Sequence, residues 1–192
     1  MKATKTILLI FSLNSLLFAT GGYDNGSAVG KGNLQLDFTL NPADIVPYGQ
    51  SYITWNYGLS DSIAFHGYAS HEANGVNQIY YGIKYTFFEN DSWDLSTAAG
   101  IRQHELSGAY LYLPQLLYTY KLPKGYDIGG SIVSVYHLRS SSFYGITSDI
   151  AFRIPIKLPW LKEHVESTKL AIGAFRNATG KLYPTYSIDI KF

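Results

Sequence analysis

The sequence contains no cysteine, few charged residues and no apolar run long enough for a membrane helix. With no Cys among its 192 residues, the chain cannot form disulfides. Charged residues make up only 15% of it. The longest apolar run, Ile7 to Phe18, is shorter than the ~20 residues that a helical membrane span requires. Stability must therefore come from hydrogen-bonded pairing and burial, without a helical span.

The first residues follow the pattern of a secretory signal. Lys2 and Lys5 precede the apolar run, and small residues follow it from Ala19 to Gly22. This order predicts a signal peptide over residues 1–21, cleaved near 19–21. No Cys follows the run, which excludes the lipoprotein route. The mature chain then consists of a Gly-rich lead over residues 22–32 and one domain over residues 33–192.

Charge excludes one class of partner, and aromatic content favours another. Removing Lys2 and Lys5 from the 15 basic residues leaves 13 against 14 acidic ones. This near balance argues against nucleic acid and against a strongly basic membrane-surface function. The 17 Tyr, 10 Phe and 3 Trp suit a chain whose aromatic groups lie between water and lipid.

The mature chain divides into ten segments in which apolar and polar residues alternate, and no long helical pattern is found. Because strand side chains alternate with period 2, each segment predicts a strand with one apolar face. In the sixth segment this places Tyr112 on the apolar face and Gln115 on the polar face. Segments of about 9 to 12 residues match a tilted strand that crosses a bilayer.

The last segment sets Tyr186, Ile188, Ile190 and Phe192 against Thr185, Ser187, Asp189 and Lys191. It resembles the closing strand of bacterial outer-membrane β-barrels, in which a C-terminal aromatic residue helps to mark the chain for insertion. The alternative is any half-buried strand that ends in Phe. The resemblance implies that the four apolar residues form an assembly signal, with outer-membrane lipid and the β-barrel assembly machinery as partners.

Signal peptide, segments and terminal aromatic together make nearly the whole mature chain similar to a small outer-membrane β-barrel, without a motif of any subfamily. The expected fold is a closed antiparallel transmembrane barrel of ten strands, with eight or twelve as alternatives, in the bacterial outer membrane. Connections after the odd-numbered segments become extracellular loops, and the others become periplasmic turns. Two aromatic girdles are expected, with Tyr48, Tyr52, Tyr80, Tyr110, Tyr136 and Tyr144 outside, and Tyr57, Phe87, Trp93, Tyr120, Tyr126, Phe152 and Phe192 at the periplasmic side.

Alternation alone does not tell whether the apolar face meets lipid or a soluble core. The interior of an eight-stranded barrel is just wide enough to be filled by side chains, and a ten-stranded barrel is only slightly larger. Ten rows of large apolar side chains would overfill it, so this face is expected to meet lipid. A secreted two-sheet sandwich, which buries such rows between its sheets, is the alternative.

The polar faces then place charged residues in the lumen: Asp37, Lys84, Asp94, Arg102, Asp149, Arg153, Lys169, Asp189 and Lys191. Such charges must pair or stay hydrated. They predict either a structural ion-pair network in a narrow interior or a narrow polar passage for small solutes. No catalytic, cofactor or metal residue is assigned. The function expected is a structural barrel or a narrow passive channel.

The alternatives are a barrel-borne lipid hydrolase and a surface-interaction protein that uses the extracellular loop ends. His71, His104 and His137 lie near the ends of segments 3, 5 and 7, and Ser140 to Ser142 follow the third of them. Such residues can ligate a metal or form a base and nucleophile pair. Against this, the three segments are not neighbours, and strands lie ~4.8 Å apart. The lipid A deacylase family has a His-x-Ser-Asn setting, from which His137-Leu138-Arg139-Ser140 departs.

The connection over residues 155–167 is the longest on the periplasmic side. Its mixture of Pro, Trp and Lys suits a segment at the inner headgroup level, with a short helix after Pro159 as one alternative and an ordinary long turn as another. A periplasmic partner could dock there.

Overall fold

The structure, a computed structural model, describes residues 25–39, 50–72, 75–161 and 163–192. The predicted signal peptide and Tyr48 of the predicted girdle lie outside these residues. The described strands are β1 (Leu34–Thr39), β2 (Gln50–Gly58), β3 (Ile63–Glu72), β4 (Asn77–Glu89), β5 (Trp93–His104), β6 (Gly108–Lys121), β7 (Asp127–His137), β8 (Ser142–Pro155), β9 (Ser167–Arg176) and β10 (Leu182–Lys191).

The ten strands form one closed antiparallel barrel. Each strand pairs with the next along the chain, and β1 pairs with β10, where Leu36 lies opposite Ile190. Closure removes both free edges of the sheet, so every strand has two hydrogen-bonded neighbours. The predicted ten-stranded closed barrel is confirmed.

The outer face of the barrel is apolar and the inner face is mostly polar. On β4, Ile79, Tyr81 and Ile83 are exposed, whereas the alternate residues Tyr80 and Lys84 are each only 1% exposed. A similar alternation runs through most of the other strands, and large apolar side chains are exposed on the outside. So large an apolar surface belongs in lipid. The barrel is therefore of the transmembrane type, and the two-sheet sandwich is wrong.

In the part of the chain that the structure describes, no helix has both the length and the hydropathy of a membrane span.

The two ends of the barrel differ in their connections. We call the end that carries the connections after β2, β4, β6 and β8 the turn end, and the opposite end the loop end. Tight turns close most of the turn end; in one, Asn90 Oδ1 accepts hydrogen bonds from the main-chain nitrogens of Ser92 and Trp93. The longer β8–β9 connection contains turns and no helix among its described residues, and Trp160 within it is 74% exposed.

Strand β6 breaks the strict alternation. Tyr112 lies opposite Gly100 of β5, and Gln115 lies opposite Ala98, so the register shifts between Tyr112 and Gln115. Both side chains are buried on the inner face, although they are three residues apart. The prediction that Tyr112 faces outward is therefore wrong, because an irregularity adds residues between the two inward positions.

The girdle predictions divide between the two ends. At the turn end, Tyr57, Phe87, Trp93, Tyr120, Phe152 and Phe192 are exposed on the outer face, as predicted. At the loop end the prediction is wrong for three residues, because Tyr52, Tyr80 and Tyr110 are only 8%, 1% and 4% exposed and point inward. An outward girdle is thus shown at one end, while tyrosines at the other end line the interior.

Candidate functional site

The described residues that precede β1 fold back into the turn end of the barrel. We call residues 25–33 the lead segment. The Nζ of Lys84, on the inner face of β4, donates hydrogen bonds to the carbonyl oxygens of Asn25 at 2.7 Å and Ser27 at 2.8 Å. Ser96 Oγ donates to the carbonyl of Gly26 at 2.6 Å, and the Gly26 nitrogen donates to Thr119 Oγ1 at 3.0 Å. Three strands therefore hold the lead segment inside the lumen.

Glycines let the lead segment pass close to the barrel wall. A Cβ at Gly26 would overlap main-chain atoms of Asp94 and Tyr118, and a Cβ at Gly58 would overlap the carbonyl group of Gly30. Only glycine permits such an approach of two backbones without displacement. Gly26 of the lead and Gly58 of β2 thus serve close packing.

An ion-pair cluster fills the opposite wall of the turn end. Arg153, 2% exposed, contacts Asp127 Oδ1 at 3.2 Å, and its Nε lies 3.9 Å from Asp189 Oδ2. Lys169 Nζ contacts the other oxygen of Asp127 at 2.5 Å. Gln35 donates to both carboxylate oxygens of Asp189 at 2.9 and 2.8 Å. Buried charges require this degree of pairing, because desolvation of each ion is costly.

Of the predicted lumen residues, the structure brings Arg153, Lys169 and Asp189 into this one cluster. The remaining ones have separate partners within the described residues: Asp37 accepts from Ser187 and Thr39, Asp94 pairs with Lys121 at 2.7 Å, Asp149 accepts from Ser131, and Lys191 pairs with Glu166 at 2.9 Å. Asp127, which bridges the cluster, was absent from the predicted set. Asp127 lies on the polar side of the seventh segment, and this position indicates a lumen residue.

The loop end contains a cavity of about 360 Å³ whose lining includes seven tyrosines. Ring centroids are 5.6 Å apart for Tyr52 and Tyr68, 5.3 Å for Tyr68 and Tyr80, and 5.3 Å for Tyr80 and Tyr112. Tyr80 reaches Tyr112 across β5 because Gly100 lies beneath its ring, where a Cβ would overlap the ring and hydroxyl. These rings form a continuous aromatic wall over four strands of the inner face.

Hydrogen bonds fix the centre of this wall. The Tyr80 hydroxyl lies 2.9 Å from His66 Nε2 and accepts a hydrogen bond of 2.7 Å from Gln115 Nε2. All three side chains are buried. The wall is therefore held in place before any ligand arrives, since the middle ring is bonded on both sides.

Arg102 of β5 is the cation of the cavity. Its guanidinium carbon lies 4.4 Å from the ring centroid of Tyr110 and 5.6 Å from that of Tyr112. One guanidinium nitrogen donates to Gln78 Oε1 at 3.2 Å. Among the side chains that the structure describes, no carboxylate pairs with Arg102, and its buried Nε has no hydrogen-bond partner. It thus differs from Arg153, whose charge is balanced by two aspartates.

A second cavity, of about 200 Å³, lies at the turn end beside the ion-pair cluster. It shares no lining residue with the aromatic cavity. Between the two, His66, Ser96 and Leu117 are almost completely buried. Buried side chains thus lie between the two cavities.

The loop-end histidines have local partners. His71 Nδ1 lies 2.9 Å from Asn77 Oδ1, His104 Nδ1 accepts from the main-chain nitrogens of Leu106 and Ser107, and His137 packs edge-on against Tyr110 with ring centroids 5.1 Å apart. Ser140 Oγ is bonded to Ser142 Oγ. Within the described residues the buried Nδ1 of His137 has no hydrogen-bond partner, and no group of three or more potential metal ligands occurs.

By its closed ten-stranded sheet, polar interior and apolar outer face, the chain is a small β-barrel of the outer-membrane type. The sequence matches no protein-family model and no curated protein.

Solved structures that this chain resembles include porin variants. One variant of Rh. blastica porin is 13% identical over 84% of this chain and 52% of its own, with a TM-score of 0.39. Another variant is 12% identical over 74% of this chain and 44% of its own, with a TM-score of 0.38. A structure described as "Asymmetric conductivity of engineered proteins" is 13% identical over 84% and 52% of the two chains, with a TM-score of 0.38. The chain spans about half the length of these structures.

Proposed function

We propose that this protein is a barrel of the bacterial outer membrane with a largely closed lumen, which serves a structural role or passes only ions and very small solutes. The observation that carries the proposal is the lead segment, which Lys84 holds across the turn end by two hydrogen bonds. A solute that enters from the loop end meets this segment and the buried side chains above it.

The charges at the turn end support the same conclusion. Arg153 and its carboxylate partners occupy the wall of the lumen opposite the lead segment, and they are buried and bonded to one another. Opening a wide path would separate buried opposite charges, which costs several kcal/mol for each pair broken. We therefore expect no stable pore of the size found in porins of 16 or more strands.

Two further proposals concern partners. The outer-face side chains of Tyr186, Ile188 and Phe192 on and after β10 are exposed, in keeping with contact with outer-membrane lipid and recognition by the barrel assembly machinery. Trp160, exposed in the β8–β9 connection, offers an apolar contact to a headgroup region or to a periplasmic partner. Lipid hydrolysis has less support, because the His137 ring lies against Tyr110 and its Nδ1 has no hydrogen-bond partner among the described residues.

Conductance of the purified, refolded barrel in planar bilayers tests the closed lumen. We expect weak or no current steps, beside a lipid-hydrolase assay on the same sample that shows no activity. Large, stable, porin-like steps would contradict the proposal. Hydrolysis that His137→Ala abolishes would instead favour the enzyme.

A further inference from the structure

We infer that the loop-end cavity is a binding site for a small organic anion with a planar ring, in which Arg102 binds the carboxylate and the tyrosine wall stacks on the ring. The site does not require a conducting pore, because the cavity ends above the buried middle of the lumen. The binding site is therefore compatible with a conducting barrel and with a non-conducting one.

Arg102 sets the charge of the ligand. The faces of Tyr110 and Tyr112 hold its guanidinium against the cavity wall, and the guanidinium donates a hydrogen bond to the neutral Gln78. Elsewhere in the described barrel, the buried cation Arg153 is neutralised by aspartates. A fixed guanidinium that lacks a carboxylate among the described side chains is arranged to receive one from a ligand, because its planar donors match two carboxylate oxygens.

The tyrosines set the shape of the ligand. Tyr52, Tyr68, Tyr80 and Tyr112 follow one another around the wall at stacking or edge-to-face distances, and Tyr144 also lines the cavity. Aromatic faces favour flat rings, and hydroxyl groups add hydrogen bonds at the rim. A volume of about 360 Å³ lies at the small end of ligand pockets and suits one or two rings.

The side chains of the tyrosine wall are also preorganised for ligand binding. His66 and Gln115 fix the Tyr80 hydroxyl, and Gly100 leaves room for its ring. A site whose side chains are already ordered loses little conformational entropy when a ligand binds. This distinguishes the cavity from a gap between mobile loops.

Isothermal titration of the detergent-solubilised barrel with 4-hydroxybenzoate tests the inference, with neutral 4-hydroxybenzamide and inorganic phosphate as comparison probes. We expect saturable binding of the benzoate, and binding at least about tenfold weaker for each comparison probe, since each lacks the carboxylate or the ring. Arg102→Gln should weaken benzoate binding at least about tenfold. Arg139→Gln, which removes a charge from the exposed β7–β8 connection, should leave it unchanged.

Heat-modifiable migration on gels shows whether each variant is folded. If Arg102→Gln does not fold, Arg102→Lys is tested in its place. Lysine keeps the charge but cannot make the bidentate hydrogen bonds of a guanidinium, so weaker benzoate binding is again expected. Absence of saturable benzoate binding by the folded parent, or equal binding by the parent and a folded Arg102 variant, would overturn the inference. Equal affinity for the amide and the acid would overturn its anionic part.

Discussion

Replacing Lys84 by methionine removes the charge that holds the lead segment in the lumen, with little change in side-chain volume. The Nζ atom donates two short hydrogen bonds to main-chain carbonyls of the lead segment, at 2.7 and 2.8 Å. Hydrogen bonds from a charged group contribute about 1.5–3 kcal/mol each, so this pair contributes about 3–6 kcal/mol to docking.

The hydrogen bonds that remain are weaker. Ser96 and Thr119 each make one neutral bond to Gly26, and Gly58 of β2 makes main-chain bonds to Gly32 and Asn33; such bonds contribute about 0.5–1.5 kcal/mol each. The substitution also leaves two buried carbonyl groups without the donor that they had. Because the larger part of the hydrogen-bond free energy at residues 25–27 comes from Lys84, we expect Lys84→Met to release this part of the lead segment while the barrel stays closed.

Two assays report this release. Trypsin should cut after Lys31 at least about tenfold faster in Lys84→Met than in the parent, since cleavage follows local opening. Single-barrel conductance should rise as the turn end clears. Lys157→Met, which removes an exposed charge at the same end, is the matched control and should change neither reading. Unchanged protection and unchanged conductance in a folded Lys84→Met barrel would refute the reasoning.

Two other substitutions test the buried charges and the outer face. Arg153→Met leaves two carboxylates without their buried cation, and we expect a loss of about 3–5 kcal/mol of stability, measured by urea unfolding in lipid vesicles. Phe192→Asp places a charge on the exposed outer face, and we expect a lower yield of folded barrel in outer-membrane fractions than for Lys181→Ala at the loop end.

Each of these two predictions has an outcome that would count against it. Arg176→Met removes an exposed arginine of β9 and serves as the control for Arg153; equal urea midpoints for the two variants would show that the ion-pair cluster does not stabilise the barrel. Similar folded yields for Phe192→Asp and the Lys181 variant would speak against an assembly role of the terminal aromatic residue.

Period-2 alternation was sufficient to predict ten strands, because lipid imposes one uniform requirement on every outward position. The alternation of Ile79, Tyr81 and Ile83 with buried neighbours is as regular in the structure as in the sequence. Alternation gives the wrong face where a local irregularity shifts the strand register. At β6, Tyr112 and Gln115 both point inward although they are three residues apart. The residue type does not reveal the error either, since tyrosine suits both a lipid interface and a polar interior.

The candidate site was less predictable than the fold, because it depends on contacts between residues far apart in sequence. Lys84 was expected in the lumen, but its partners lie in a Gly-rich lead that carries no alternation and hence no strand signal. Arg102 was expected there too, yet only the register of β4, β5 and β6 places it beside Tyr110 and Gln78. Strand identity follows from local pattern, whereas partners across the lumen follow from barrel closure.

The distribution of the aromatic residues has a spectroscopic consequence. Trp93 is exposed on the outer face, and the Trp55 ring packs over Gly67 on the same face, so both indoles face acyl chains or headgroups. The described lining of the cavity includes tyrosines and Phe175 but no tryptophan. Brominated lipids will therefore quench the indole emission when the barrel inserts into the membrane. A ligand in the cavity will instead change the absorbance of the tyrosines that line it. Insertion and ligand binding can thus be followed in one unlabelled sample by two separate optical signals.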